Sequence, residues 1–333
     1  RDDLVTGVQT CALPISSFSP FWTSTNGGEW AASGLSDPKW TFTSEVSCFH
    51  PDGAEVENRD ALGRYSAAQY GYAHTLPVAV GSNVSYRSIG FDGFEDYDYI
   101  PDGTCDRQHF NFFHEKSNVI ASEAHSGRHC LQVAPSGSAI MERELELNPN
   151  CNSGADQVPY AIKGCDPVGI FSPELDASTE RQFVVSYWTR SLNSTLNPGM
   201  TDFPDQSVDI RINGVTLSKQ RVKKSPIIDG WQWHEFVVRL PAAANVSSPA
   251  LLEVVLKSQS GVHLFDDLRM HPFDANIKSY VYDPISLRLM AELDANNYAT
   301  FYEYDEAGQL IRVKKETERG IMTIQETRNH TAN

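Results

Sequence analysis

The apolar positions of this chain do not recur at helical spacing. Short β-branched and aromatic runs are cut instead by Gly, Pro, Asn and Asp, a pattern that predicts an all-β protein. In the middle of the chain it predicts strands at His129–Ala134, Gln182–Arg190, Ser207–Ile212, Trp231–Leu240, Leu251–Lys257 and Val262–Met270. Within Gln182–Arg190, Phe183, Val185 and Tyr187 alternate with Val184, Ser186 and Trp188, so both faces carry apolar groups, as suits an inner strand of a sandwich. Asn213-Gly214, between SVDIRI and VTLSKQRV, is the strongest hairpin signal. These strands predict a two-sheet sandwich over residues 89–273.

The pattern changes on either side. Ser279–Thr327 reads as short strands punctuated by turns at Asp283-Pro284, Asn296-Asn297 and Glu306-Ala307-Gly308. Inside it Tyr302, Tyr304, Asp305, Gly308, Leu310 and Val313 spell YxYDxxGxLxxV. The Asp opens a tight turn, the Gly takes the positive φ that turn requires, and the tyrosines and aliphatics pack successive strands. This motif resembles the YD repeat of Rhs-type bacterial surface and secreted proteins. Cys48–Tyr72 can be laid beside Tyr280–Tyr304: Pro51 to Tyr65 and Pro284 to Tyr298 both span 14 positions, and each half ends in Tyr-x-Tyr. Read as a weak internal repeat, this predicts YD-like β segments at 17–88 and 274–333, with the sandwich inserted between them.

The amino terminus has neither the basic stretch nor the apolar run of a signal peptide. Val5–Ile15 (VTGVQTCALPI) resembles the in-frame translation of a sequencing-library adapter, so residues 1–16 are read as a non-native leader outside the fold. The chain would then be a window on a longer bacterial protein.

Composition narrows the function classes. The 333 residues hold 27 Lys+Arg against 43 Asp+Glu, a formal net charge of −16, which argues against nucleic acid and anionic lipid surfaces as partners. No apolar run is long enough for a membrane span. Setting Cys11 aside, the remaining cysteines form no CxxC pair and no zinc spacing. Cys151 and Cys165 bracket a loop poor in core residues and are expected to pair, as are Cys105 and Cys130, which would imply an extracellular or cell-surface setting. Buried free thiols in a cytosolic protein are the alternative.

Acidity concentrates between Gly90 and Ala124, where eight carboxylates (Asp92, Glu95, Asp96, Asp98, Asp102, Asp106, Glu115, Glu123) face only Arg107 and Lys116. The order FDGFE at 91–95, HSGRHCLQV at 125–133, Trp-rich strands and LFDDL at 264–268 resembles the galactose-binding-like jelly-roll family of carbohydrate-binding modules. That resemblance implies a structural Ca²⁺ held by Glu95, the backbone at Ser126 and Gly127, and Asp266 or Asp267. The competing reading is a solvated acidic face. Sugar binding needs exposed aromatic rings beside Asn, Asp, Arg or Gln, which makes Trp188, Trp231, Trp233, Tyr97, Tyr99 and Tyr160 candidates, although tryptophans in sandwich strands are more often core.

No nucleophile elbow, zinc-protease motif or phosphate loop is present, so no catalytic residue is assigned. The sequence is therefore read as a non-catalytic module of a secreted or cell-surface YD-repeat protein, serving glycan binding, adhesion or scaffolding through carbohydrate or neighbouring domains of its parent chain. Two alternatives stay open: a shell segment of a Rhs-type toxin-delivery protein, and a glycoside-hydrolase-associated domain using a carboxylate such as Glu95.

Overall fold

The computed structural model describes residues 22–24, 30–32, 41–50, 53–99, 110–121, 123–145, 160–161, 171–192 and 200–327. Residues 1–16, Cys105, Cys151 and Cys165 lie outside this set, and with them the leader reading and the 151–165 pairing. The chain divides into two compact units, 1–44 and 45–333. In the first, β1 (Trp22–Ser24) pairs antiparallel with β2 (Trp30–Ala32).

The second unit begins with a meander of β3 (Ser44–Phe49), β4 (Glu55–Asp60), β5 (Tyr65–Gly71) and β6 (Leu76–Ser82). The middle of the chain contributes β7 (Gly90–Asp92), β8 (Val119–Ile120), β9 (Cys130–Val133), β10 (Ser138–Leu145), β11 (Tyr160–Ala161) and β12 (Arg181–Ser191). It continues with β13 (Gln206–Ile212), β14 (Val215–Thr216), β15 (Gln220–Ile228), β16 (Trp231–Leu240), β17 (Ala250–Ser258) and β18 (His263–Pro272). A second meander closes the chain: β19 (Asn276–Tyr282), β20 (Leu289–Leu293), β21 (Ala299–Tyr304), β22 (Leu310–Thr317) and β23 (Gly320–Glu326).

Two sheets form a jelly-roll-like sandwich, one in the order β15-β16-β12-β18-β9-β8 with β7 added to β18, the other β10-β17-β13-β14. Their facing residues make one apolar core, with Phe183, Val185 and Tyr187 of β12 and Phe265 and Met270 of β18 meeting Val208 and Ile210 of β13 and Leu252 and Val254 of β17. The all-β expectation holds, and Trp231–Leu240 matches β16 residue for residue. The hairpin at Asn213-Gly214 forms with positive φ at both turn residues (49° and 77°), but its second arm ends after Thr216. Gln220–Ile228 then pairs with β16 in the other sheet, because the chain has to cross between sheets there.

The flanking strands join in one ten-stranded sheet, β11-β3-β4-β5-β6-β19-β20-β21-β22-β23. The decisive contact is β6 with β19, where Ser82 lies opposite Asn276 and Ala79 opposite Ser279. The sandwich strands therefore leave and re-enter this sheet between two neighbouring strands. Four of its hairpins repeat one turn: at His50, Asp60, Asp294 and Asp305 the residue's carbonyl accepts from the N–H three positions on, at 2.8–2.9 Å, while its own N–H donates four positions on, at 2.9–3.0 Å. The fourth turn residue has positive φ in every case (Gly53 88°, Gly63 75°, Asn297 64°, Gly308 80°). Asp60, Asp294 and Asp305 reinforce it with Oδ1 accepting backbone N–H groups inside the turn. In the alignment of Cys48–Tyr72 with Tyr280–Tyr304, β4 and β5 face β20 and β21, but the His50 turn faces the turn at Asp283, which is one residue longer (Asp283 N–H to Arg288 O, Leu287 N–H to Asp283 O), and Asp60 falls one position before Asp294.

Candidate functional site

The residues singled out in sequence converge on the loop His125–His129, which enters β9. β18 carries a bulge opposite Ser186–Trp188 of β12, with Asp267 in the left-handed region at φ 48°. Consecutive strand residues normally point to opposite faces; the bulge breaks that alternation and turns both aspartates toward one loop. Asp266 Oδ2 accepts the N–H of His125 at 2.7 Å and of Ser126 at 3.3 Å, and its Oδ1 accepts the N–H of Asp267. Asp267 Oδ1 accepts the Ser126 hydroxyl at 2.7 Å, and its Oδ2 meets His125 Nδ1 at 2.6 Å. From the other side, Glu95 Oε1 accepts the N–H groups of Arg128 and His129, and Oε2 meets His129 Nδ1 at 2.8 Å. A Cβ on Gly127, whose φ is 71°, would collide with that same Glu95 oxygen, so glycine is required twice over.

All four nominated metal residues, Glu95, Gly127, Asp266 and Asp267, therefore do meet. They meet as acceptors wrapped by donors. Each oxygen of the three carboxylates already takes an N–H or O–H of the same chain. Among the described residues no group of three or more His, Cys, Asp or Glu is arranged to hold a metal ion. The loop turns backbone N–H groups toward Asp266 and Glu95.

His125 carries the positive charge of the cluster. Its Nε2 meets Glu316 Oε1 at 3.0 Å, so one imidazole bridges Asp267 of the sandwich and Glu316 of β22. The ring stacks on Trp188 at 3.9 Å with an interplanar angle of 12°. Burial opposes its protonation, but the Glu316 charge and the hydrogen bonds to Asp267 and Glu316 prevail and raise it to about 9. Burial, then the charges of Asp267 and Glu95, push Asp266 above the ordinary carboxylate range. Burial also raises Asp92, to about 8, where its Oδ2 accepts the Tyr97 hydroxyl at 2.7 Å.

The aromatic candidates occupy other places than an exposed platform. Trp188, Trp231 and Trp233 are buried on the outer face of the β12–β16–β18 sheet, packed against Tyr298 and Ile321 of the ten-stranded sheet. Trp188 Nε1 donates to the Asn297 carbonyl at 2.8 Å. Tyr97 is buried, and the half-buried Tyr99 donates its hydroxyl to Pro284 O. Tyr160 contributes its backbone to β11, which pairs in parallel with β3. Cys130 is a buried free thiol whose Sγ lies 3.7 Å from Glu123 O; Cys105, the partner expected for it, lies outside the described residues.

Sequence reasoning missed several members of this junction. Asn297 holds the left-handed turn position that is glycine in the other hairpins, and uses its side chain to donate from Nδ2 to Asp267 O at 3.0 Å. Arg269 donates to the carbonyls of Asp294 and Leu293, and Arg128 to Asp283 Oδ2 at 2.6 Å. Only the Asn297-for-Gly substitution within a repeated turn could have flagged any of these in advance.

A scan of protein-family profiles finds no match to this chain, and a search of curated proteins finds no similar sequence.

Proposed function

We propose that the chain is a non-catalytic display and scaffolding module of a secreted or cell-surface bacterial YD-repeat protein, in which a jelly-roll-like sandwich is held rigidly on a repeat sheet. One observation carries this reading: β6 and β19, the strands before and after the sandwich, are hydrogen-bonded neighbours. An insert that leaves and returns at one point of a continuous sheet can present a surface without interrupting the repeat. The repeated Asp-x-x-Gly/Asn turn supports the YD-repeat assignment.

The clamp supports the non-catalytic part. The carboxylates a glycosidase would use are bound by donors of the same chain, and Glu95 engages the loop backbone with one oxygen and His129 with the other. In this reading the loop does by hydrogen bonding what calcium does in the jelly-roll modules the sequence resembles.

The test is surface biotinylation of intact cells that make the parent protein, together with chromogenic glycoside assays on the purified chain. Labelling without lysis and no turnover are expected. Labelling only after lysis, or turnover abolished by Glu95→Gln, would overturn the reading. Calcium is tested separately: melting temperature should be the same in Ca²⁺ and in EDTA, whereas a rise with Ca²⁺ would restore the ion.

A further inference from the structure

An outer strand of a sheet presents a row of unpaired backbone N–H and C=O groups, and folded chains keep such strands short, charged or kinked. Among the described residues of the second unit, the three sheets end in six outer strands, and five follow that rule. β8, β11 and β14 are two residues long. β10 carries Glu142, Arg143 and Glu144. β15 carries Arg221, Lys223, Lys224 and Pro226, and twice breaks register with β16.

β23 is different. It runs for seven residues, is uncharged from Gly320 to Gln325, and breaks register with β22 once, between Thr323 and Gln325. Every residue from Met322 to Glu326 is exposed, with Met322 at 57% and Ile324 at 60%. Strand side chains point to both faces, so five exposed residues in a row leave both faces open. The sandwich touches β23 through Ile321 and covers neither face beyond it. Charge also sets this strand apart. The hairpin Leu310–Thr327 holds four basic residues against three acidic ones, a net +1 in a chain of −16, so it is a place where a like-charged copy is not repelled.

We propose that β23 is a pairing edge for a second copy of this chain, which adds its own β23 antiparallel and joins two ten-stranded sheets into one. The strand is self-complementary. Paired about Thr323, Met322 of each copy lies opposite Ile324 of the other, Ile321 opposite Gln325, and Gly320 opposite Glu326. The exposed Arg319 of each copy then stands next to Glu326 of the other, and no like charges lie opposite one another. Thr323 meets Thr323, a favourable cross-strand pair. Such pairing uses the open edge of both copies, so the assembly closes at two. A contact of one strand on one strand belongs to the small, reversible class of interfaces.

The experiment is sedimentation velocity on the whole chain from micromolar to millimolar concentration, with hydrogen exchange measured at both extremes. A monomer–dimer equilibrium is expected, with slower exchange of the β23 amides at high concentration. Met322→Lys and Ile324→Lys, both at exposed positions, are each expected to weaken association tenfold or more with melting temperature unchanged. Val222→Lys, on the exposed side of β15, should leave association as it was. A chain that stays monomeric, species that grow past the dimer, protection confined to another edge, or a dimer that survives both β23 substitutions together would overturn the proposal. So would a monomer whose β23 is protected only by an added strand-forming peptide, which would assign the edge to a different partner. Surface labelling of the parent protein does not depend on this result, so the two readings fail separately.

Discussion

The β12–β16–β18 sheet has two covered faces built on different principles. Its inner face meets the other sheet of the sandwich through Phe183, Val185, Phe236, Val238, Phe265 and Met270, an apolar seam without charge. Its outer face meets the repeat sheet through Trp188, Trp231 and Trp233, and surrounds them with Asp266, Asp267, His125, Arg269 and Asn297. An apolar seam contributes stability in proportion to the area removed from water and tolerates sliding. Directional groups that lose a partner when shifted fix one placement. The inner face therefore holds the sandwich together, and the outer face determines where it sits on the repeat sheet.

Large-to-small changes should cost both faces alike. Trp188→Ala and Phe183→Ala are each expected to destabilise by about 3–5 kcal/mol in urea unfolding. A loss under 1 kcal/mol for Trp188→Ala would mean the outer face is not a true core. Removing one charge separates the faces. Asp267→Ala leaves the imidazolium with one partner fewer and should cost about 3 kcal/mol, against less than about 1.5 kcal/mol for the volume-conserving inner-face change Met270→Leu.

The pH profile sharpens the contrast. His125 is raised to about 9 in the folded chain from an ordinary 6.5, so its contribution is complete below pH 6.5 and is lost as pH rises through 9. His234 and His271 are lowered by burial to about 4, so the stability they confer is present above pH 6.5 and is lost as pH falls toward 4. Asp92, raised to about 8, also loses stability as pH rises from its ordinary 3.8 through 8, so the alkaline fall has more than one source. His125→Phe should make the fall in melting temperature above pH 6.5 shallower and leave the acid arm. A profile above pH 6.5 that is the same with and without His125 would contradict the assigned charge state.

The smallest effect compares two glycines. Gly127→Ala meets both a positive φ and the Glu95 carboxylate and should cost about 2–3 kcal/mol, whereas Gly63→Ala meets the φ penalty in open space and should cost about 1 kcal/mol. Equal losses, read by thermal melting, would show that Glu95 does not hold the loop.

Much of this molecule was legible before its structure. β-branched runs and Gly/Pro/Asn/Asp breaks located six sandwich strands to within about two residues but not β10 at Ser138–Leu145, and the two-sided apolarity of Gln182–Arg190 correctly implied cover on both sides. The alignment of the two flanks rested on a Pro-to-Tyr spacing and a Tyr-x-Tyr ending, whereas the turn positions that need positive φ, Gly63, Asn297 and Gly308, were the more local signal. What covered the outer face was not legible, because His125 and Glu316 lie 191 positions apart and no spacing rule links them. The nominated metal residues were picked out by a family resemblance and do converge, but sequence does not reveal that backbone N–H groups, the Ser126 hydroxyl and two imidazoles meet every oxygen of the three carboxylates. Asp266 and Asp267 could not both be assigned, because the bulge that turns them to one side leaves no local signature.

The central claim, that the sandwich and the repeat sheet are one cooperative body joined through His125, is met most directly by differential scanning calorimetry of the chain with Glu316→Ala, a change made on the repeat sheet alone. The account predicts a single transition for residues 45–333, shifted down as a whole, with the buried tryptophan fluorescence and the strand circular dichroism moving together. Two separate transitions, with Glu316→Ala displacing only one of them, would contradict it.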